Sequence, residues 1–130
     1  REGVKWLPEK NIDVFFVTLN KADKDYSPTT MYNDYSINES LFHWQSQSTT
    51  AENSPTGQRY IHHKERGSKV LLFVREFKSD RVTGSAEAYT YLGTASYVKH
   101  EGSRPMNITW RLDRPIPAKF LKKTNKLVVG

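Results

Sequence analysis

The sequence has no cysteine among its 130 residues, which excludes disulfide bonds and thiolate metal sites. No apolar run reaches the roughly 18 residues that a helix needs to cross a bilayer. The mean hydropathy of −0.73 is that of a polar chain. We therefore expect no membrane partner, and the absence of cysteine is compatible with the cytosol.

The motifs of several enzyme classes are also missing. The chain contains no G-x-S-x-G nucleophile motif, no P-loop and no G-x-G-x-x-G. His62 and His63 are adjacent, and neighbouring side chains of a strand point to opposite faces, so the two cannot ligate one ion. The carboxylates are scattered along the chain. The sequence therefore predicts a non-enzymatic domain with no metal and no cofactor of its own.

The length fits one domain, residues 1–130, with a modest core. The chain begins with Arg1 rather than Met, and no signal-peptide pattern follows. We therefore expect a piece cut from a longer protein.

Positive charge is concentrated in the second half of the chain. The net charge is +6, but residues 1–57 carry 5 basic and 8 acidic side chains, while residues 58–130 carry 15 and 6. A basic half is a candidate surface for DNA phosphates, although a solvated surface is an equally good interpretation. The candidate contacts to the DNA backbone are Lys21, Lys24, Arg59, His62, His63, Lys64, Arg66, Lys99 and Arg104.

Strand patterns recur along the chain with turn signals about every ten residues. They cover residues 12–19, 40–46, 69–77, 88–93, 95–100 and 106–113. Residues 47–58 are predicted as a loop, 59–62 as a short strand or helical turn, and 115–125 as a helix. This order predicts a mainly β (α+β) fold, in which a strongly bent antiparallel sheet closes into a small barrel with one or two short helices.

One run of 22 residues, from Tyr26 to Gln47, combines aromatic rings with many amide and hydroxyl groups. Rings that alternate with edge-reading polar groups are what a pocket for a planar polar molecule requires. Within the run, Trp44 alternates with Phe42, so both are expected to face the core, with Gln45 and Gln47 on the opposite side. A core role and a pocket role for Trp44 both remain open.

Seven motifs occur together and in order and carry a family resemblance. They are DVFFVTLNK at 13–21, YSPTTMYNDY at 26–35, FHWQSQ at 42–47, TGQRY at 56–60, LFVRE at 72–76, YTYLG at 89–93 and RPMNITW at 104–110. They resemble the C-terminal domain of unknown function of bacterial defence proteins that also carry a phospholipase-D-like nuclease and a superfamily II helicase. Among these are modification-dependent type IV restriction enzymes.

The resemblance implies a target-recognition domain that senses 5-methylcytosine or 5-hydroxymethylcytosine in double-stranded DNA. Its partners would be modified DNA and the helicase and nuclease domains of the same chain, in a bacterial cytoplasm. ATP and a divalent metal would belong to those other domains. A protein-interaction module and a non-specific DNA-loading module are the alternatives.

Reading a methyl group favours a closed pocket over a groove contact. Burying one methyl-sized group contributes about 0.8 kcal/mol, or roughly a fourfold preference. A pocket for a flipped base adds stacking and edge contacts, as in SRA-type domains. The expected fold is therefore an SRA/PUA-like barrel. The alternative is a B3-like pseudobarrel that reads the major groove. The candidate pocket residues are Thr30, Tyr32, Asn33, Asp34, Tyr35, Trp44, Gln45 and Gln47.

Roles within that pocket follow from the edges of cytosine. Asp34 would accept from the amino group, or else bond local backbone N–H groups as a turn residue. Asn33, Gln45 or Thr30 would donate to the ring carbonyl. Tyr32 and Tyr35 are the rings expected to stack on the base.

Overall fold

A computed structural model describes residues 3–20, 34–79 and 82–121. The described residues form one seven-stranded sheet with two short helices, which confirms the mainly β prediction. The strands are β1 (Val4–Leu7), β2 (Ile12–Asn20), β3 (Tyr35–Ser36), β4 (Leu41–Gln45), β5 (Lys69–Phe77), β6 (Thr90–Glu101) and β7 (Asn107–Leu112). The helices are α1 (Pro55–Ile61) and α2 (residues 118–121).

The strand order across the sheet is β1-β2-β5-β6-β7-β4-β3. β2 and β5 are parallel and all other neighbours are antiparallel. Parallel neighbours need a long crossover connection, and here it contains β3, β4 and α1. The sheet is therefore mixed, whereas the sequence predicted an antiparallel one.

The predicted closure into a barrel is wrong for the described residues. β1 and β3 lie at opposite ends of the strand order, and the sheet stays open. Closing a barrel requires the end strands to pair along their length. β1 has 4 residues and β3 has 2, so these end strands offer little backbone to pair.

The core lies on one face of the sheet, beneath α1 and α2. Alternate residues of the central strands supply it, as the twofold periodicity of a strand requires. The buried side chains include Phe15, Val17, Phe42, Trp44, Leu72, Ile108 and Trp110, with Tyr60 of α1 and Phe120 of α2. The predicted core position of Phe42 is confirmed. We call the opposite side of the sheet the outer face.

Helix α1 begins inside the segment that was predicted as a loop. Ser54 is its N-cap, and the Ser54 hydroxyl accepts a hydrogen bond from Gly57 N at 3.0 Å. Pro55 occupies the first turn, where its missing N–H costs nothing. A Cβ on Gly57 would lie 2.2 Å from the carbonyl oxygen of Ala51, so a glycine is needed where the helix packs on the preceding loop.

Strand β6 is a single 12-residue strand where the sequence predicted two. Its register shifts opposite Leu72 and Phe73 of β5, and again between Tyr97 and Lys99. Gly93, with a φ of 109°, lies at the first shift. Such bulges bend a strand without ending it, which explains why a glycine inside the pattern suggested a turn.

Candidate nucleic-acid interface

A groove crosses the outer face of the sheet over β3, β4, β7 and the second half of β6. Its volume is about 540 Å³, within the usual range for small-ligand sites of roughly 300–1,000 Å³. The polar and aromatic residues that line it are Tyr35, His43, Lys99, His100, Glu101, Asn107 and Thr109. We call this site the outer groove.

A stacked pair of rings forms one wall of the outer groove. Tyr35 of β3 is the register partner of His43 of β4. Their ring centroids are 4.6 Å apart with an interplanar angle of 13°. Cross-strand neighbours on one face come this close because antiparallel pairing sets the separation of their Cβ atoms. Both residues are half-buried, so the pair contributes to the groove surface.

Two rows of polar side chains run across the strands beside the rings. His43, Thr109 and Lys99 are successive register partners from β4 to β6. Gln45, Asn107 and Glu101 form the next row, and Gln45 Nε2 donates to Asn107 Oδ1 at 3.1 Å. The groove therefore presents hydrogen-bond donors and acceptors next to an aromatic surface.

The predicted pocket residues fall into three groups. Tyr35 lines the outer groove, and Gln45 lies in the second of its polar rows. Gln47 is exposed just beyond β4. Asp34 is 5% exposed, and Asp34 Oδ1 accepts from the backbone N–H of Gln45 at 2.9 Å. Asp34 thus bonds a backbone N–H, as the turn alternative expected, but the N–H belongs to β4, eleven residues along the chain, and not to a local turn. Thr30, Tyr32 and Asn33 lie outside the described residues.

Trp44 lies in the core and not in the outer groove. It is 4% exposed, and its ring stacks on Phe15 with centroids 4.1 Å apart. The pocket interpretation of Trp44 is therefore corrected, because alternation along β4 turns it away from the face on which Gln45 lies.

Arg59 and His63, both predicted to contact DNA phosphates, have structural partners instead. Arg59 Nε and Nη2 donate to the two carboxylate oxygens of Asp13 at 2.8 and 2.9 Å. The same guanidinium lies 4.1 Å from the Trp6 ring centroid. His63 is 2% exposed. Neither group is presented to solvent as a free cation.

The other predicted phosphate contacts are spread over the surface. Lys64, Arg66 and Arg104 are exposed, and His62 lies 2.5 Å from a carboxylate oxygen of Glu65. Lys99 lines the outer groove. Lys21 and Lys24 lie outside the described residues. Among the described cations of this set, Lys99 is therefore the one that lies beside the rings.

The sequence prediction did not select His43, Asn107, Thr109 or Glu101 as site residues. The alternation in β4 and β7 carries the signal for the first three, because each follows or precedes a core residue and so faces outward. The alternation does not reveal the strand order, in which β7 lies between β4 and β6. That order brings the three residues together with Lys99.

A hydrogen-bonded chain beside the groove fixes the neighbouring loop. His100 Nδ1 lies 2.7 Å from the Tyr97 hydroxyl, and His100 Nε2 lies 2.7 Å from a carboxylate oxygen of Glu52. Burial, with a contribution from Glu52, raises the pKa of Tyr97. Ser103 Oγ accepts from the Glu52 backbone N–H at 2.9 Å. The loop before α1 is thereby tied to the end of β6.

The His63 environment fixes its tautomer and predicts a pH dependence of stability. Nδ1 lies 3.1 Å from the Ser68 carbonyl oxygen, which can only accept, and Nε2 accepts the Tyr97 N–H at 3.1 Å. Both roles require a neutral ring. Burial lowers the pKa of His63 below its usual 6.5. Protonation would therefore break the bond from Tyr97.

We expect stability to fall as the pH drops below about 6.5, because the unfolded chain then binds a proton that folded His63 resists. The stability that neutral His63 contributes is fully present above pH 6.5 and is lost as the pH falls to the lowered pKa of the folded state. Over that range the free energy of unfolding falls by at most about 1.4 kcal/mol per pH unit. Urea unfolding across this range, compared with His63→Gln, measures it. A variant that loses as much stability as the wild type on acidification would contradict the assignment.

The described residues contain no group of three or more His, Asp or Glu side chains placed to hold a metal ion. Neither described helix has the length and apolar character needed to span a membrane.

Fold and site together define an α+β domain with an open mixed sheet, helices on one face and a polar aromatic groove on the other. Residues 2–123 match the family described as "Domain of unknown function (DUF3427)", and the chain belongs to this family. No curated protein matches the chain.

Proposed function

We propose that this chain is the DNA target-recognition domain of a modification-dependent type IV restriction enzyme. It senses 5-methylcytosine or 5-hydroxymethylcytosine in double-stranded DNA and accommodates the flipped base in the outer groove. The observation that carries the proposal is the stacked pair of Tyr35 and His43 beside Lys99 and the amide pair of Gln45 and Asn107. The family resemblance of the seven sequence motifs supports the same function.

The outer groove offers the contacts that a cytosine needs. The base presents an amino donor and two acceptors on its Watson–Crick edge. The Glu101 carboxylate supplies an acceptor for the amino group, in place of the buried Asp34. The Thr109 hydroxyl and the Asn107 amide supply further polar contacts, and the Tyr35 ring supplies a stacking surface.

Lys99 has a separate role at the rim of the outer groove. Its side chain is exposed and adjoins the rings. A lysine there contacts a phosphate that flanks the flipped nucleotide, which positions the DNA without reading its sequence. The proposed mode of binding shares base flipping with SRA-type domains. It does not share their closed barrel, because the sheet of the described residues is open.

Binding of the isolated domain to paired duplexes, identical except for one 5-methylcytosine, tests the proposal. We expect at least a roughly fourfold preference for the modified duplex, the value of one buried methyl group. Tyr35→Ala removes a stacking ring and should bring the ratio of the two affinities close to one, because stacking contributes about 1–3 kcal/mol per base. Fluorescence anisotropy measures both affinities, and 2-aminopurine beside the target reports flipping.

Two lysine variants, one in the outer groove and one outside it, test the proposed phosphate contact. Lys99→Ala should weaken binding to both duplexes and reduce the salt slope by about one. Lys10→Ala removes the same charge from an exposed turn between β1 and β2 and should leave both properties unchanged.

Equal affinity of the wild type for the two duplexes would refute modified-base reading and favour non-specific DNA loading. Absence of any salt-dependent binding would favour a protein-interaction module.

The proposal assigns no catalysis and no cofactor to this domain. ATP hydrolysis and metal-dependent cleavage belong, on this view, to helicase and nuclease domains of a longer bacterial, cytoplasmic protein. The base context of the modified cytosine would be set by contacts outside the groove described here.

A further inference from the structure

A second aromatic surface lies on the outer face, at the other end of the sheet. Phe16 of β2, Phe73 of β5 and Tyr91 of β6 are successive register partners on three adjacent strands. Their ring centroids are 5.5 Å apart for Phe16 and Phe73 and 4.9 Å apart for Phe73 and Tyr91. Tyr91 is 42% exposed, and the two phenylalanines are half-buried. We call these three residues the aromatic row.

The aromatic row is held in place by the segment before β6. Tyr89 packs edge-on against Phe16, with centroids 5.3 Å apart. Arg75 lies 4.4 Å from the Tyr89 ring centroid, and its guanidinium donates to the Thr18 hydroxyl and to the Glu87 carbonyl oxygen. The row is therefore built on a rigid support, and Tyr91 remains its most exposed ring.

An arginine approaches Tyr91 across a gap that glycine leaves open. Arg114 lies with its guanidinium carbon 5.5 Å from the Tyr91 ring centroid. A Cβ on Gly93 would lie 3.1 Å from Arg114 Nε. A side chain at position 93 would therefore push the guanidinium away from the ring.

Exposed cations lie on the same face of the sheet as the aromatic row. The strand registers place Lys5, Lys69 and Arg111 on the same side of the sheet as Val14, Leu71 and Ser96, and Arg114 joins them. The nearby Glu87 carboxylate is occupied by the backbone N–H groups of Glu76 and Phe77. The Asp113 carboxylate is hydrogen-bonded to the Thr94 hydroxyl. Rings and cations that share one face of a sheet are complementary to a chain of bases and phosphates.

We infer that the aromatic row is a binding surface for single-stranded DNA, in addition to the duplex site of the outer groove. Bases stack on Tyr91 and its neighbours, and the phosphates lie against Arg114, Arg111 and Lys69. Stacking of this kind tolerates any base and requires bases that are not already paired in a duplex. A row of aromatic rings on the open face of a sheet is also the device by which RRM domains hold single strands.

The neighbours of the row favour DNA over RNA. Val14 and Leu71 are half-buried side chains on the same face, directly beside Phe16 and Phe73. Apolar groups there suit a deoxyribose, whereas a ribose 2′-hydroxyl would lose water without gaining a partner.

The aromatic row and the outer groove can be mutated independently. Tyr91 and Lys99 lie eight residues apart on β6, which corresponds to roughly 26 Å along an extended strand. A substitution in one surface should leave the other intact.

Titration of the domain with a dye-labelled oligothymidylate of about 15 nucleotides tests the inference. We expect salt-sensitive binding that Tyr91→Ala weakens by roughly 5- to 150-fold and that Tyr91→Phe retains. Arg114→Ala should lower the salt slope by about 0.7, the value of one phosphate contact to a single strand. Tyr35→Ala, which targets the outer groove, should leave this affinity unchanged. Urea midpoints of all variants verify that each is folded at the temperature of the titration.

Three outcomes would overturn the inference. They are the absence of salt-sensitive binding, an affinity that Tyr91→Ala leaves unchanged, and equal or tighter binding of an RNA strand of the same length. The preference for a methylated duplex is a separate measurement, so failure of the single-strand site and failure of the proposed function are distinguishable.

Discussion

Replacing Arg59 with alanine is expected to lower the free energy of unfolding by about 3–5 kcal/mol. Asp13 is 0% exposed, and both of its carboxylate oxygens accept hydrogen bonds from the Arg59 guanidinium. Alanine would leave a buried carboxylate without that partner. The contact of the guanidinium with the Trp6 ring would be lost as well. Because the Arg59 side chain is partly exposed, we expect a loss of stability at the lower end of this range. Urea unfolding monitored by tryptophan fluorescence measures the loss.

Matched variants separate this structural role from DNA contact. Arg66 is an exposed arginine in the turn after α1, and Arg66→Ala should change stability by no more than about 0.5 kcal/mol. The double variant Asp13→Leu with Arg59→Met replaces the pair by apolar groups and should recover much of the loss, since removing both charges leaves none buried alone. If Arg59→Ala kept wild-type stability yet lost DNA binding, the phosphate-contact role would be restored.

The Arg59 pair illustrates what a sequence does not reveal about charge. A lysine or arginine within a polar stretch carries the same signal whether it faces solvent or a buried carboxylate. Asp13 lies 46 residues away along the chain, on the strand that α1 packs against. Only the packing of α1 over the start of β2 brings the two groups together, so the basic surface predicted from sequence was too large by at least Arg59 and His63.

The long strands were predictable because each carries its own periodicity. β2, β5 and β7 lie within one or two residues of their predicted positions, and the alternation in β7 matches the burial of Ile108 and Trp110. β1 and β3 were not predicted, because 4 and 2 residues are too few to establish a period. The open sheet was missed for the same reason, since its end strands decide whether a barrel closes.

The outer groove was predictable in part. Tyr35 and Gln45 were selected from the aromatic and polar run, whereas Asn107, Thr109 and Glu101 come from strands some 60 residues further along the chain. Gln45 and Asn107 are 62 positions apart, and their contact depends on β4 pairing with the distant β7 as well as with β3, its neighbour in sequence. Local patterns define which face a side chain occupies, but the order of strands is a property of the whole fold.

Trp44→Ala is expected to destabilise the domain by about 3–5 kcal/mol, the usual cost of removing a buried large aromatic side chain. Its ring stacks on Phe15 and meets Tyr60 and Trp110 edge-on, at centroid distances of 5.5 and 6.5 Å. Alanine would leave a cavity at the centre of this cluster. A total stability of about 5–15 kcal/mol is typical of a domain, so a measurable unfolded fraction is expected at elevated temperature.

The neighbouring residue provides the control for Trp44. Gln45 is half-buried on the outer face, and Gln45→Ala removes one hydrogen bond to Asn107, a loss of about 1 kcal/mol. Trp44→Phe keeps a ring in the core, so we expect a smaller loss of stability than for alanine and an unchanged preference for the modified duplex once affinities are corrected for the folded fraction. A stable Trp44→Phe protein that no longer distinguished the two duplexes would instead assign this ring to base recognition, and the outer groove would then not be the whole of the site.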